Sequence, residues 1–226
     1  MNFNNGKRLV AQSSKSFNVE SRVLISHKSR DEERDLDVNV NGRKDEPGVK
    51  TNNTSENPMV DTQPQSLDLL GKWDLYYHLP QNKNWDLSSY KLILGDINTA
   101  DKLIAIGKAL TQNVMKYCML FVMRTGVTPM WEDPRNRNGG FFSYKVANKF
   151  VPDVWRTMFY ALCGETLSTN PAYSPLINGI TVSPKKSFCI IKIWMTDMSM
   201  QDGSVIIDIP NLTKHGVAFK AHKPEF

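Results

Sequence analysis

The pattern of apolar and polar positions changes near Ser66. Before it, SRDEERDLDVNVNGRKDEPGVK and TNNTSENPMVDTQPQS are dense in charge and turn formers with almost nothing to bury, which predicts a disordered extension over residues 1–65. Residues 66–226 read as one folded domain. GKWDLYYHL and SSYKLIL are strands joined by the polar loop PQNKNW, and TADKLIAIGKALTQ sets Leu103, Ile106 and Leu110 at helical spacing behind a Thr99 N-cap. YCMLFVM is a short apolar strand running into RTGVTPMWEDPRNRNGG, whose prolines and glycines exclude a regular element. FFSYKV resumes as a strand. PDVWRTMFYALCGE is a helix with Pro152 near its start, Trp155, Met158, Phe159 and Leu162 on its apolar side, and Gly164 as its stop. INGITV and SFCIIKIWM form strands around an SPKK turn, and GVAFKAH is the last. Strand runs interrupted by two or three helices predict an α+β domain with a single mostly antiparallel sheet and helices on one face.

Charge and aromatic content sharpen the division at Ser66. Residues 1–65 carry ten Lys/Arg against ten Asp/Glu, and residues 66–226 carry eighteen against thirteen, so the net charge of +5 belongs to the second part. All five tryptophans lie there too, whereas the leader holds only Phe3 and Phe17. A basic, tryptophan-rich globule suits a partner that is anionic and can be stacked upon. The opening residues lack the apolar stretch of a secretory signal, and no run reaches the roughly 18 to 20 apolar residues of a membrane span, so a soluble, intracellular chain is expected. Cys118, Cys163 and Cys189 sit among apolar neighbours and are expected reduced and buried. His27, His78, His215 and His222 are scattered, which leaves no visible zinc site.

Two tryptophans stand in polar loops, Trp85 in NKNWDL and Trp131 in PMWED. Either one alone is accounted for by packing onto the core or a lid. Together they offer a slot for a flat ring, and a cationic ring is held best because indole faces are electron-rich. Glu132 beside that slot would accept hydrogen bonds from ring N–H and amine donors. A guanine methylated at N7 has the required positive charge and row of donors.

The segment GVTPMWEDPRNRNGGFF (126–142) closely resembles the signature loop of the eukaryotic translation initiation factor 4E family, which binds the 7-methylguanosine cap of mRNA. KWDLYY, NKNW, VWRTMFYALCGE and IKIWMT follow the family's order, and the resemblance covers roughly residues 67–222. It implies a curved sheet with helices on its convex face and the cap slot on the concave side. It further implies that Trp85 and Trp131 stack the methylated guanine, that Glu132 reads its N1 and N2 donors, and that Trp194 lines the pocket by the N7-methyl group. Asp133, Asn136 and the paired glycines are expected to shape the loop, with Arg135 and Arg137 facing solvent.

The chain also departs from the family. Phe141 and Ser183 replace two expected arginines, leaving Lys192, on the same strand face as Trp194, and Lys185 and Lys186 in the SPKK turn as cations for the cap phosphates. The basic loop that often covers those phosphates looks shortened. On the helical face that binds the 4G scaffold, Ile104 stands where the family has a tryptophan. Trp155, Gly164 and Glu165 match, while Arg156 and Tyr160 occupy usually aliphatic positions. This altered face suggests a virus or a divergent unicellular eukaryote as the source. The resemblance implies a monomeric, cytoplasmic binding protein with no catalytic residues, metal or cofactor. It would recruit capped mRNA to a scaffold of the 4G type or a divergent equivalent. The alternatives are a repressor that sequesters caps, and an interaction module that has lost the cap.

Overall fold

The computed structural model describes residues 66–213 and 217–224; the expected disordered extension, residues 1–65, lies outside them, as does His215. The element order is β1 (Asp68–His78), β2 (Lys91–Thr99), α1 (Ala100–Ala109), α2 (Gln112–Tyr117), β3 (Met119–Arg124), β4 (Gly140–Ala147), α3 (Val151–Cys163), β5 (Ile177–Pro184), β6 (Phe188–Met195) and β7 (Ala218–Ala221). The strands form one sheet in the order β2-β1-β3-β5-β6-β4-β7, and every neighbouring pair is antiparallel. This is the expected α+β architecture.

Register decides what each face carries, because directly paired residues on antiparallel strands point the same way. One row runs Tyr76–Phe121–Thr181–Lys192–Ser143 across five strands, and the next runs Asp74–Met123 and on through Gly179–Trp194–Phe141–Lys220. His78 pairs with Met119 on that same face. Phe121, Met123, Val127 and Trp194 form a buried cluster there, with Tyr76, Tyr90, Met119 and Trp131 packed against it. The alternate positions, among them Leu75, Leu120, Val122, Ile180 and Val182, are fully buried on the other face.

Helix α3 packs against α1, α2, β1 and β5. Val154, Trp155, Met158, Phe159 and Leu162 are essentially unexposed, and each such side chain contributes roughly 1.5 to 3 kcal/mol on burial. Thr99 Oγ1 accepts the Lys102 N–H at 3.4 Å, and Asp101 and Lys108 sit at the ends of α1 that favour their charges.

Three details differ from the sequence expectation. Strand β2 continues past Leu94 to Thr99, because Asp96 takes a positive φ of 56° and its N–H is held by Asp74 Oδ1 at 3.0 Å, absorbing Gly95 and Asp96 as a bulge. Helix α2 was not expected. Finally, Gly164 has φ −82° and is not the left-handed residue ending α3. Glu165 is, at φ 58°. Its N–H reaches Leu162 O at 3.0 Å and the Thr166 N–H reaches Ala161 O at 2.8 Å, the two bonds of a Schellman cap. Glu165 tolerates this backbone because Arg124 grips its carboxylate twice, at 2.7 and 3.0 Å, while lying 4.5 Å from the Trp73 ring centroid.

Candidate functional site

The loop between β1 and β2 is shaped by its own polar residues. Asn82 Oδ1 accepts the Asn84 N–H and Asn84 Oδ1 accepts the Asp86 N–H, turning the chain so that Trp85 projects with half its surface exposed. The indole does not stand alone. His78, fully buried at the end of β1, stacks on it with centroids 4.2 Å apart and planes 2° from parallel. The His78 Nε2–H donates to Asn84 O at 2.9 Å, pinning the residue before Trp85.

The loop between β3 and β4 carries the other indole. Asp133 accepts three hydrogen bonds, from Thr128 N–H and O–H at 2.8 and 2.7 Å and from Arg135 N–H at 2.8 Å. Asn136, fully buried, donates to Thr128 O and Met130 O, and Asn178 donates to Asn136 Oδ1 and Arg135 O. Asp133 and Asn136 thus shape the loop, as expected. Gly139 lets it close, since a Cβ there would collide with the Met195 carbonyl. Trp131, partly buried, lies nearly parallel to Phe141 and His222, at 6.2 and 5.8 Å.

These loops meet over the sheet in a cavity of about 670 Å³ lined by Trp85, Trp131, Glu132, Trp194 and Lys192, together with Lys83, Tyr90, Met119, Phe121, Thr181, Ser183 and Lys223. The four residues expected to hold a base therefore share one cavity with one of the expected cations. Trp194 forms its buried wall, with Nε1–H donating to Thr181 Oγ1 at 2.7 Å. Burial and the Glu132 charge push the Tyr90 hydroxyl up to about 12, which puts the carboxylate's field inside the cavity.

Of the lysines that line the cavity, Lys192 is the one set among its aromatic rings. Its Nζ lies 4.0 Å from the Phe141 centroid and 5.5 Å from that of Trp131. Burial, then Lys185, then Lys220, hold its pKa below the ordinary lysine value. A half-buried ammonium repelled by two further cations is a ready anion site. Lys185 is exposed outside the lining but acts on Lys192, whereas Lys186 is exposed and neither lines the cavity nor shares in that coupling. Lys83, Lys220, Lys223, Tyr90 and both backing histidines were not singled out from the sequence. They lie in two short stretches, 78–90 and 220–223, far apart along the chain, and only the strand register and loop closure bring the two together.

On the helical face, Ile104 is 43% exposed and Gly164 is exposed, as a docking surface requires. Trp155 does not belong to that surface: it is fully buried and backs the helix from within. Tyr160 is partly buried and leans over α1 where Gly107 has no side chain; a Cβ there would overlap its ring. Arg156 Nε–H donates to Gly107 O at 3.3 Å. Cys118, Cys163 and Cys189 are buried free thiols, each pushed up by burial.

The sequence model of the family described as eukaryotic initiation factor 4E matches residues 68–224. A eukaryotic translation initiation factor 4E homolog of Acanthamoeba polyphaga mimivirus is 47% identical over 62 residues, 27% of this chain and 23% of that relative. Eukaryotic translation initiation factor 4E-2 of Schizosaccharomyces pombe is 26% identical over 153 residues, so the chain covers 60% of that relative's length and the match takes in 66% of this chain. Among solved structures, a complex of C. elegans eIF4E-3 with the 4E-binding protein Mextli aligns at TM-score 0.53 and 20% identity, over 60% of this chain and 78% of that one. Ascaris suum eIF4E-3 with m7G cap aligns at TM-score 0.53 and 19% identity, over 60% and 76%. At these identities the likeness is one of fold. The family's pattern, however, runs from the first residue of β1 to the last described residue and takes in both loops that close the cavity, and on that match the chain belongs to the eukaryotic initiation factor 4E family.

Proposed function

We propose that this chain binds the 7-methylguanosine cap of mRNA and acts in translation initiation in the cytoplasm, as a binding protein that performs no reaction. The observation that carries this reading is the single cavity in which Trp85, Trp131, Glu132, Trp194 and Lys192 converge from separate segments. The cationic guanine lies between the Trp85 and Trp131 indoles. Glu132 accepts its N1 and N2 hydrogens, a backbone N–H near Trp131 meets O6, and Trp194 contacts the N7-methyl group. Lys192, supported by Lys185, holds the phosphates. Removing the methyl group leaves a neutral ring, which forfeits about 0.5 to 2 kcal/mol for each cation–π contact and the ionic part of the Glu132 contact. Related structures solved with m7G cap, and with m7GpppG and 4E-BP, support both the ligand and a protein partner.

Titration of tryptophan fluorescence with 7-methyl-GTP tests the reading. Strong quenching is expected, with markedly weaker binding of GTP; no quenching, or equal affinities, would overturn it. A second reading is favoured by the helical face, where the Tyr160 ring and Arg156 cover Gly107. A protein that occupies caps without recruiting a 4G-type scaffold would be a repressor. Pull-down on cap resin separates the two, since the initiation role requires a scaffold to be recovered with the protein.

A further inference from the structure

The two loop indoles of the cavity, Trp85 and Trp131, each lie nearly parallel to a buried histidine. His78 lies parallel to Trp85 at 4.2 Å, and His222 lies 13° from parallel to Trp131 at 5.8 Å while also meeting Trp194 at 4.9 Å. Each gives one nitrogen to a carbonyl of the loop that carries its indole: His78 Nε2 to Asn84 O at 2.9 Å, and His222 Nδ1 to Asn136 O at 2.6 Å. A carbonyl only accepts, so each of these nitrogens bears the proton. The remaining nitrogens, His78 Nδ1 and His222 Nε2, are buried and have no hydrogen-bond partner among the described residues. Neither ring therefore has an acceptor for a second proton.

We propose that His78 and His222 are paired positioning residues, and that the uncharged state of His222 is a condition for holding a cationic ring between the two indoles. This rests on the cap-binding reading above. A neutral imidazole lying parallel to each indole fixes its plane without placing a charge against the π-system. A protonated imidazole would add a buried N–H without a partner and place a cation against the same π-system that the methylated guanine uses. The two charges would stand on the order of 8 Å apart, which at an effective dielectric of about 20 costs roughly 30-fold in affinity.

The surrounding charges differ between the two sites. Burial is the largest influence on His222 and holds its pKa down; the bond to the Asn136 carbonyl raises it, Lys192 from β6 lowers it and Glu132 from the β3–β4 loop raises it. Beside His222 in sequence is the exposed Lys223. His78 faces the Tyr90 ring at 5.2 Å and pairs with Met119, and the loop it pins carries Lys83 and Asp86, both exposed.

The test titrates the full chain with 7-methyl-GTP at pH 7 and pH 5.5, as wild type, His78→Phe and His222→Gln. The ratio of variant to wild-type affinity cancels protonation of the ligand. For His222→Gln that ratio should rise severalfold on acidification, because the amide keeps a donor but cannot take up the proton, while His78→Phe reports the positioning role as a loss of affinity at pH 7. A purely structural role would shift affinity equally at both pH values, and a flat ratio overturns the proposal while leaving cap binding intact. Absence of quenching by wild type at pH 7 overturns the cap reading and this proposal together. If the variants do not fold, the wild-type His222 NMR signal decides: bound 7-methyl-GTP should keep that ring neutral to lower pH than in the free protein. Unchanged titration on binding overturns the proposal.

Discussion

At the residue scale, the cavity brings together the Glu132 carboxylate, stacked rings and a few cations. Glu132 is partly buried and its field reaches Tyr90 and His222. Glu132→Ala should therefore cost 7-methyl-GTP about 2 kcal/mol or more, the scale of a hydrogen bond to a charged group, whereas Lys186→Ala should stay within about twofold in Kd; comparable losses in parallel fluorescence titrations would show the site to be ranked wrongly. Trp85, Trp131, Glu132 and Trp194 were legible in the sequence. Indoles in polar loops are conspicuous, and the PMWED segment places a carboxylate beside one of them. His78 and His222 were not, because a solitary histidine at a strand end announces nothing until register and loop closure set its ring behind an indole. The choice among lysines was half legible: alternation with Trp194 marked Lys192, but nothing local separates Lys185, which acts on Lys192, from Lys186.

At the element scale, the long periodic segments were readable and the short or irregular ones were not. Helix α1 follows its Thr99 cap and its apolar spacing. Helix α2 has six residues, under two turns, too few for a period to register. Strand β2 runs through Gly95 and Asp96, turn formers that look like an ending unless the Asp74 side chain is known to hold the bulge. The cap of α3 obeys the same logic, since a glycine at the right place draws attention from the glutamate that takes the left-handed conformation. Its two contributions are separable by substitution. Glu165→Gly loses the Arg124 ion pair and relieves the backbone; Glu165→Ala loses the pair and keeps the backbone cost of about 1 to 2 kcal/mol. Chemical denaturation should find Glu165→Ala less stable than Glu165→Gly by about 1 kcal/mol; the reverse order would place the left-handed residue elsewhere.

At the scale of the whole molecule, the burial that builds the cavity also sets how the fold responds to acid. His222 has a folded-state pKa below its unfolded value of 6.5, chiefly through burial. The unfolded chain therefore binds the proton first, and this contribution to stability is complete above about pH 6.5 and is lost as pH falls through the folded-state value. Thermal unfolding followed from pH 7.5 to pH 5 should show Tm declining, with a shallower decline in His222→Gln; equal slopes would mean that other groups govern acid sensitivity. The sheet's open side has a different consequence. Strand β2 is an edge, and its pairing with β1 slips register three times, with Asp96 at positive φ and Lys91 and Asp96 setting charges along it. A second chain seeking to extend the sheet meets a twisted, interrupted ladder in place of a straight row of free donors and acceptors. The same bulge that hid the strand from its sequence thus guards this edge of the sheet against strand addition, β7 being the other.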